Sequence, residues 1–245
     1  MTVYLLSGKD MFRQEERLAT LLKEFSIDKD YITTFDASNA KTFRFDEALM
    51  ACDTFSLFDD TAKKAVIIKE PHFLRASTKA GKKETDKQEQ EKEQRLKSLE
   101  AYLKNPNPNT LLVFYCHTFS ADTRKKEYKL LTTYDTRVVK FELMKPWEFE
   151  KYIDDKLKEH KYKLTREARK ELLERVSNDT LKFHNVLVKI DLYGKRELNL
   201  EDIMHIVPMN ADLNIFRMSN AFVAHDLSST LLAVDEMLQA RYDYV

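Results

Sequence analysis

The residues best suited to chemistry are Gly8-Lys9-Asp10-Met11-Phe12-Arg13-Gln14-Glu15, which follow the apolar run Val3–Leu6. A glycine between a first strand and a helix is where a phosphate-binding loop stands. A working loop reads G-x-x-x-x-G-K-[ST]: its backbone N–H groups cradle phosphate and its lysine reaches the β- and γ-phosphates. Counted from Gly8, Arg13 replaces the second glycine, Gln14 the lysine, and Glu15 the magnesium-binding hydroxyl. A side chain at the second glycine crowds the backbone's approach to phosphate, and the ammonium is gone. A metal-binding strand should end in Asp-Glu, yet Val66-Ile67-Ile68 ends in Lys69-Glu70, with a cation in the ligand position. The loop keeps a shape and loses its chemistry.

Other reactive groups make no constellation. His72, His117, His160, His184, His205 and His225 lack H-x-x-x-H spacing, so no metal site is expected. Asp59-Asp60 and Asp154-Asp155 are adjacent pairs whose side chains diverge on a helix, unlike an acid/base couple. No G-x-S-x-G elbow occurs. Cys52 and Cys116 form no C-x-x-C, which excludes a disulfide framework or a zinc site read from spacing. Cys52 continues the apolar face Phe45, Ala48, Leu49 and reads as core. No catalytic residue, cofactor or metal is expected.

The elements around these residues alternate. β-branched or aromatic runs at Val3–Leu6, Tyr31–Phe35, Ala65–Lys69, Thr110–Cys116 and Arg137–Glu142 are separated by helical patterns near Met11–Phe25, Phe45–Cys52, Gln94–Lys104 and Thr123–Tyr134. That alternation predicts a five-stranded parallel sheet with helices on both faces. Lys79–Arg95 has no apolar residue except Ala80 and mixes both charge signs, which predicts a solvated or disordered insertion before a charged helix. From Met144 the strand signals stop. Pro146 opens a helix with the stripe Trp147, Phe149, Tyr152, Ile153 and Leu157, and Thr165 caps a second. Asn178 or Asp179 caps a third that Gly194 closes, and Asn199 starts a short one ending by Pro208. Two further helices, near Leu213–Ala224 and Leu227–Ala240, carry apolar faces that nothing obvious in the chain covers. The expected domains are an α/β domain over 1–143, a small all-α lid over 144–208 and the start of another helical domain over 209–245.

With 245 residues, 43% hydrophobic and 33% charged, the chain suits about two domains with real cores and a well-solvated surface. Lysine plus arginine equals aspartate plus glutamate at 41 each, so no global positive field gathers nucleic acid. The start lacks a signal peptide's basic stretch and long apolar core, and no run is apolar enough to span a membrane. A cytoplasmic protein is expected.

Asp53-Thr54-Phe55-Ser56-Leu57-Phe58-Asp59-Asp60 stands out. Phe45, Ala48, Leu49 and Cys52 set one buried stripe. If their helix continues, Phe55 and Ser56 fall near that stripe while Leu57 and Phe58 point away on opposite sides. Large apolar side chains that their own helix cannot bury either pack beneath the next strand or await a partner. Geometry alone leaves both readings open.

The chain resembles the delta subunit of bacterial DNA polymerase III, in several blocks that keep the family's order. They are VYLLSGKDMFRQEERL at the start, F-S-L-F before KKAVIIKE, YLKNPNPNTLLVFYC, VSNDTLKFHNVLVKIDLY and NIFRMSNAFVAHD. Ser177 stands where the family commonly has glycine, and Thr180-Leu181 replaces a usual Leu-Arg pair. The resemblance implies an AAA+-like domain with a degenerate nucleotide site, then a lid, then a helical collar mostly missing here. It also implies a function in DNA replication. The chain would be a clamp loader subunit, part of a DNA-directed DNA polymerase holoenzyme, that binds the sliding clamp (beta) and opens it for loading on primed DNA. It would not hydrolyse ATP itself. By position, the residues inserted in the clamp would be Phe55, Leu57 and Phe58, framed by Thr54 and Ser56. Partners would be the clamp, the delta prime and tau/gamma subunits and primed DNA within the complex; alone, the chain would be monomeric.

Two other classes fit less well. An active P-loop ATPase fails at three loop positions together. A separate nucleic-acid module could use Arg124-Lys125-Lys126 and the 79–95 run, but net charge is zero and no aromatic-basic face interleaves.

Overall fold

A computed structural model describes residues 2–54, 63–76, 86–207, 218–231 and 234–235. The chain divides into two compact units, Met1–Leu143 and Met144–Val245.

The first unit is built on five parallel strands: β1 (Val3–Gly8), β2 (Ile32–Asp36), β3 (Lys64–Lys69), β4 (Thr110–Cys116) and β5 (Thr136–Phe141). Their order is β2-β3-β4-β1-β5. β1 and β4 are buried along their whole length, as their continuous apolar runs require of strands covered on both faces. The period of two sorts the side chains. Val3, Leu5, Val66, Ile68, Leu112 and Phe114 share one core with α2 (Phe45–Asp53), α3 (Asp86–Lys104) and α4 (Lys126–Thr133). Tyr4, Leu6, Ala65, Ile67, Leu111 and Val113 share the other with α1 (Met11–Glu24). The chain leaves β1 towards β2 and leaves its neighbour β4 towards β5, in opposite directions along the sheet. Open α/β sheets take ligands beyond the carboxyl ends of strands at such a switch.

The charged run departs from expectation. Helix α3 begins at Asp86, so 86–95 is helical rather than an insertion, while 79–85 lie outside the described residues. Glu, Lys and Gln are good helix formers, and buried Leu99, Tyr102 and Leu103 anchor the helix they extend. Arg95 secures it further, with Nη2 2.9 Å from buried Glu127 Oε1 and its guanidinium 4.8 Å from the Phe73 ring centre.

The second unit contains α5 (Pro146–Glu159), α6 (Arg166–Val176), α7 (Thr180–Tyr193) and α8 (Leu200–Ile206). Two two-residue strands, β6 (Lys163–Leu164) and β7 (Glu197–Leu198), pair in parallel. Strands that short leave no alternation to read, which is why strand signals end at Met144 in the sequence. Helix ends follow the capping residues: Thr165 accepts from Ala168 N, Asp179 rather than Asn178 accepts from Lys182 N, and Asn199 accepts from Asp202 N. Phe149, Ile153 and Leu157 are buried as expected, but Trp147 is exposed, with Lys145 Nζ 4.9 Å from its ring centre. Beyond Val207, residues 218–223 and 227–231 are helical, and Phe222, Val223, Leu227 and Leu231 are exposed.

Ser177 closes α6 in the left-handed region at φ 50°. Glycine enters that region without a Cβ penalty, which gives a physical reason for a glycine there. Ser177→Gly should raise stability by about 0.5–1 kcal/mol, read from a denaturant midpoint. A lower midpoint would mean that the hydroxyl's bond to Glu174 O, at 3.0 Å, outweighs the backbone term.

Candidate functional site

The carboxyl edge of the sheet holds the loop singled out in the sequence, and there the loop is shorter than a phosphate loop. β1 ends at Gly8 and α1 begins at Met11, so Arg13, Gln14 and Glu15 stand in the helix. The turn's N–H groups point at the protein's own backbone: Lys9 N and Asp10 N both donate to Phe141 O, at 2.9 and 3.0 Å. Asp10, buried, takes the N-cap of α1, where a phosphate's charge would be welcome. Its carboxylate accepts from Arg13 N at 3.1 Å and Arg13 Nε at 2.7 Å. Arg13 Nη2 also donates to Glu142 O at 2.7 Å. Gln14, fully buried, donates from Nε2 to Gly8 O at 3.2 Å. Gly8 itself, at φ 151°, lies so close to β5 that a Cβ would sit 2.1 Å from Phe141 O. The glycine serves a close approach of backbone to backbone.

Glu70, after β3, is also engaged. It is buried at φ 52°, and its Oε1 accepts from His117 N at 2.8 Å and Thr118 N at 3.1 Å. Its Oε2 accepts from Arg75 Nη2 at 3.0 Å and from Thr118 Oγ1. A carboxylate saturated by four donors ties the ends of β3 and β4 together. Lys69 beside it is exposed. Among the described residues no group of three or more His, Cys, Asp or Glu could hold a metal ion. Both cysteines are buried and free, and burial pushes the Cys52 thiol up to about 12, far from a thiolate nucleophile.

The opposite, amino-terminal edge carries the start of the other candidate segment. Phe55, Ser56, Leu57 and Phe58 lie outside the described residues, as do Asp59 and Asp60. Their approach is described. Helix α2 ends at Asp53 and Thr54 is extended, at φ −66° and ψ 128°. The helix thus ends one residue beyond the expected Phe45–Cys52, and the phase of its stripe is set only as far as Asp53.

Four carbonyls at that helix end are satisfied, three of them by side chains from farther along the chain. Met50 O accepts Thr54 N at 2.9 Å and Thr54 Oγ1 at 2.7 Å. Ala51 O accepts Lys64 Nζ at 2.7 Å, and Thr54 O accepts the same ammonium. Cys52 O accepts Asn107 Nδ2 at 3.1 Å and Thr110 Oγ1 at 2.8 Å. Lys64 opens β3 and pairs in register with Thr110, which opens β4. Lys64 and Asn107 escaped the sequence reading because their partners are backbone atoms far along the chain. The one available signal was Asn-Pro-Asn-Pro-Asn before β4, whose prolines restrict the loop holding Asn107.

The family model of the DNA polymerase III delta subunit matches residues 4–142. The chain belongs to that family. Its role is that of a clamp loader component. The delta family's fold is seen in the Bacillus subtilis DNA clamp loader delta protein (YqeN), which is 20% identical with a TM-score of 0.69, over 98% of this chain and 68% of that one. A more distant likeness links the delta-family chain to the Thermotoga maritima RuvB Holliday junction branch migration motor, at TM-score 0.45 and 11% identity over 98% of this chain and 80% of that one. No curated protein sequence matches the chain. No helix among the described residues is long and apolar enough to cross a membrane.

Proposed function

We propose that this delta-family chain binds the sliding clamp through Phe55, Leu57 and Phe58, framed by Thr54 and Ser56, and opens it without binding or hydrolysing ATP. The observation that carries this reading is the family match over residues 4–142, which spans the segment. The segment's composition supports it, with three large apolar side chains among eight residues between Thr54 and Lys63. The clamp, the delta prime and tau/gamma subunits and primed DNA are the proposed partners, with 144–208 as a lid and 209–245 as the opening of a collar.

The nucleotide half of the proposal rests on the carboxyl edge. Phosphate binding at the β1–α1 turn would require N–H groups that already donate to Phe141 O and to Asp10. It would also bring anionic phosphates against the Asp10 carboxylate with Gln14 in place of a lysine. Calorimetric titration with millimolar magnesium-ATP or magnesium-ADP should give no saturable heat. Micromolar, magnesium-dependent binding would overturn this half, and failure of the sliding clamp to co-elute with the chain would overturn the other.

A further inference from the structure

We propose that the outer face of α7, with α8 beside it, is a docking groove for an amphipathic helix of another protein, one that brings aliphatic anchors flanked by carboxylates. The inference is independent of the clamp-binding reading and involves the second unit alone. Helix α7 turns Phe183, Val186, Leu187 and Ile190 into the core. On its other side Leu181, Val188 and Leu192 recur at i, i+7 and i+11, and they are 53%, 44% and 83% exposed. A surface helix needs one apolar stripe for its own fold, and α7 carries two. From Leu181 to Leu192 the outer stripe runs about 16 Å, enough for about three turns of a second helix laid along it. A groove of about 310 Å³ between α7 and α8 continues from Leu192, lined also by Lys189, Tyr193, His205 and Ile206. Its wall is fixed in place: Tyr193 Oη donates to Asp202 Oδ1 at 2.9 Å, and the Tyr193 ring lies 6.2 Å from that of His205.

The charge around the groove selects its occupant. Two carboxylates of these helices are already engaged. Asp191 accepts from Tyr162 Oη, and Asp202 accepts from Lys195 Nζ at 2.6 Å and Asn199 N at 3.1 Å. Glu201, exposed on α8, is outnumbered by half-buried Lys182 and exposed Lys189 on α7. Lys189 lines the groove itself, so the complementary partner carries carboxylates beside its apolar anchors. A second copy of this chain fits worse. Antiparallel two-fold packing of α7 would set Lys182 of one copy near Lys189 of the other.

The test uses the full chain and two fluorescein-labelled synthetic helical peptides of about 15 residues, read by fluorescence anisotropy with melting curves on the same samples. Both peptides carry leucine at every third or fourth position; one has glutamate between the leucines and the other lysine. The glutamate peptide should bind saturably, and the lysine peptide at least about 10-fold more weakly. Leu192→Ser should weaken the glutamate peptide roughly 10-fold with the melting temperature nearly unchanged, because the side chain it removes is exposed. Leu181→Ser, at the far end of the stripe, should act in the same direction. Lys189→Glu should reverse the preference, so that the lysine peptide becomes the tighter ligand. Absence of saturable binding by the glutamate peptide, equal binding of the two peptides, or parental affinity in both serine variants would overturn the proposal. Binding lost only through unfolding, with no reversal in Lys189→Glu, would overturn it as well. Dimerisation in sedimentation equilibrium that Leu192→Ser abolishes would give the face to a second copy and equally overturn it.

Discussion

Leu57→Ala combined with Phe58→Ala should weaken clamp binding at least about 100-fold while the chain stays folded, because two of the three proposed anchors vanish. Fully burying a leucine or phenylalanine stabilises by about 1.5–3 kcal/mol, and a hundredfold change in affinity is about 2.7 kcal/mol, so two such residues suffice. Immobilising the segment on binding offsets part of the gain, which is why the gross sum of three anchors does not appear in full. A core role makes the opposite forecast. If Leu57 and Phe58 packed beneath β3, truncating both would leave cavities and cost several kcal/mol of stability, with binding lost through unfolding. Binding isotherms and denaturant midpoints on one preparation separate the two. A folded double variant with parental affinity would remove these residues from the proposed anchor.

The second large effect belongs to the other edge of the sheet. Gly8→Ala should destabilise the protein by about 3 kcal/mol or more. The new Cβ would lie 2.1 Å from Phe141 O and 2.4 Å from Phe141 C, both backbone atoms that no rotamer can move. Relief requires either that the turn withdraw, losing the donations of Lys9 N and Asp10 N, or that β5 part from β1. Each backbone hydrogen bond is worth about 0.5–1.5 kcal/mol net, and the positive φ adds strain for any residue with a side chain. Urea titration should show a much lower midpoint, and an unchanged midpoint would mean that the turn relaxes freely.

The parallel sheet was legible because β1 and β4 are buried on both faces and so appear as unbroken apolar runs. Thr165 and Asn199 announced their helices through short-range caps that need no tertiary information. The phosphate loop was legible as altered, but not as shortened. Its real device, two N–H groups turned on Phe141 O, joins residues more than a hundred positions apart, and no local pattern encodes that. Glu70 reads as the tail of a metal-binding strand, whereas four donors from Arg75, His117 and Thr118 make it a structural tie. What fixes the end of α2 was not legible for a related reason. Amphipathic phase can be extended on paper past Asp53, but Lys64, Asn107 and Thr110 supply the capping that ends the helix there. With α2 ending at Asp53, the proposed anchor rests on the family match and on the segment's composition.

The central claim is that this delta-family chain grips the clamp by an apolar segment and needs no nucleotide of its own to do so. The most direct test is one equilibrium titration of the full chain with the sliding clamp, run without nucleotide and again with millimolar magnesium-ATP. Saturable binding with the same dissociation constant in both is the predicted result. No binding in either, or binding that appears only when nucleotide is added, would contradict it.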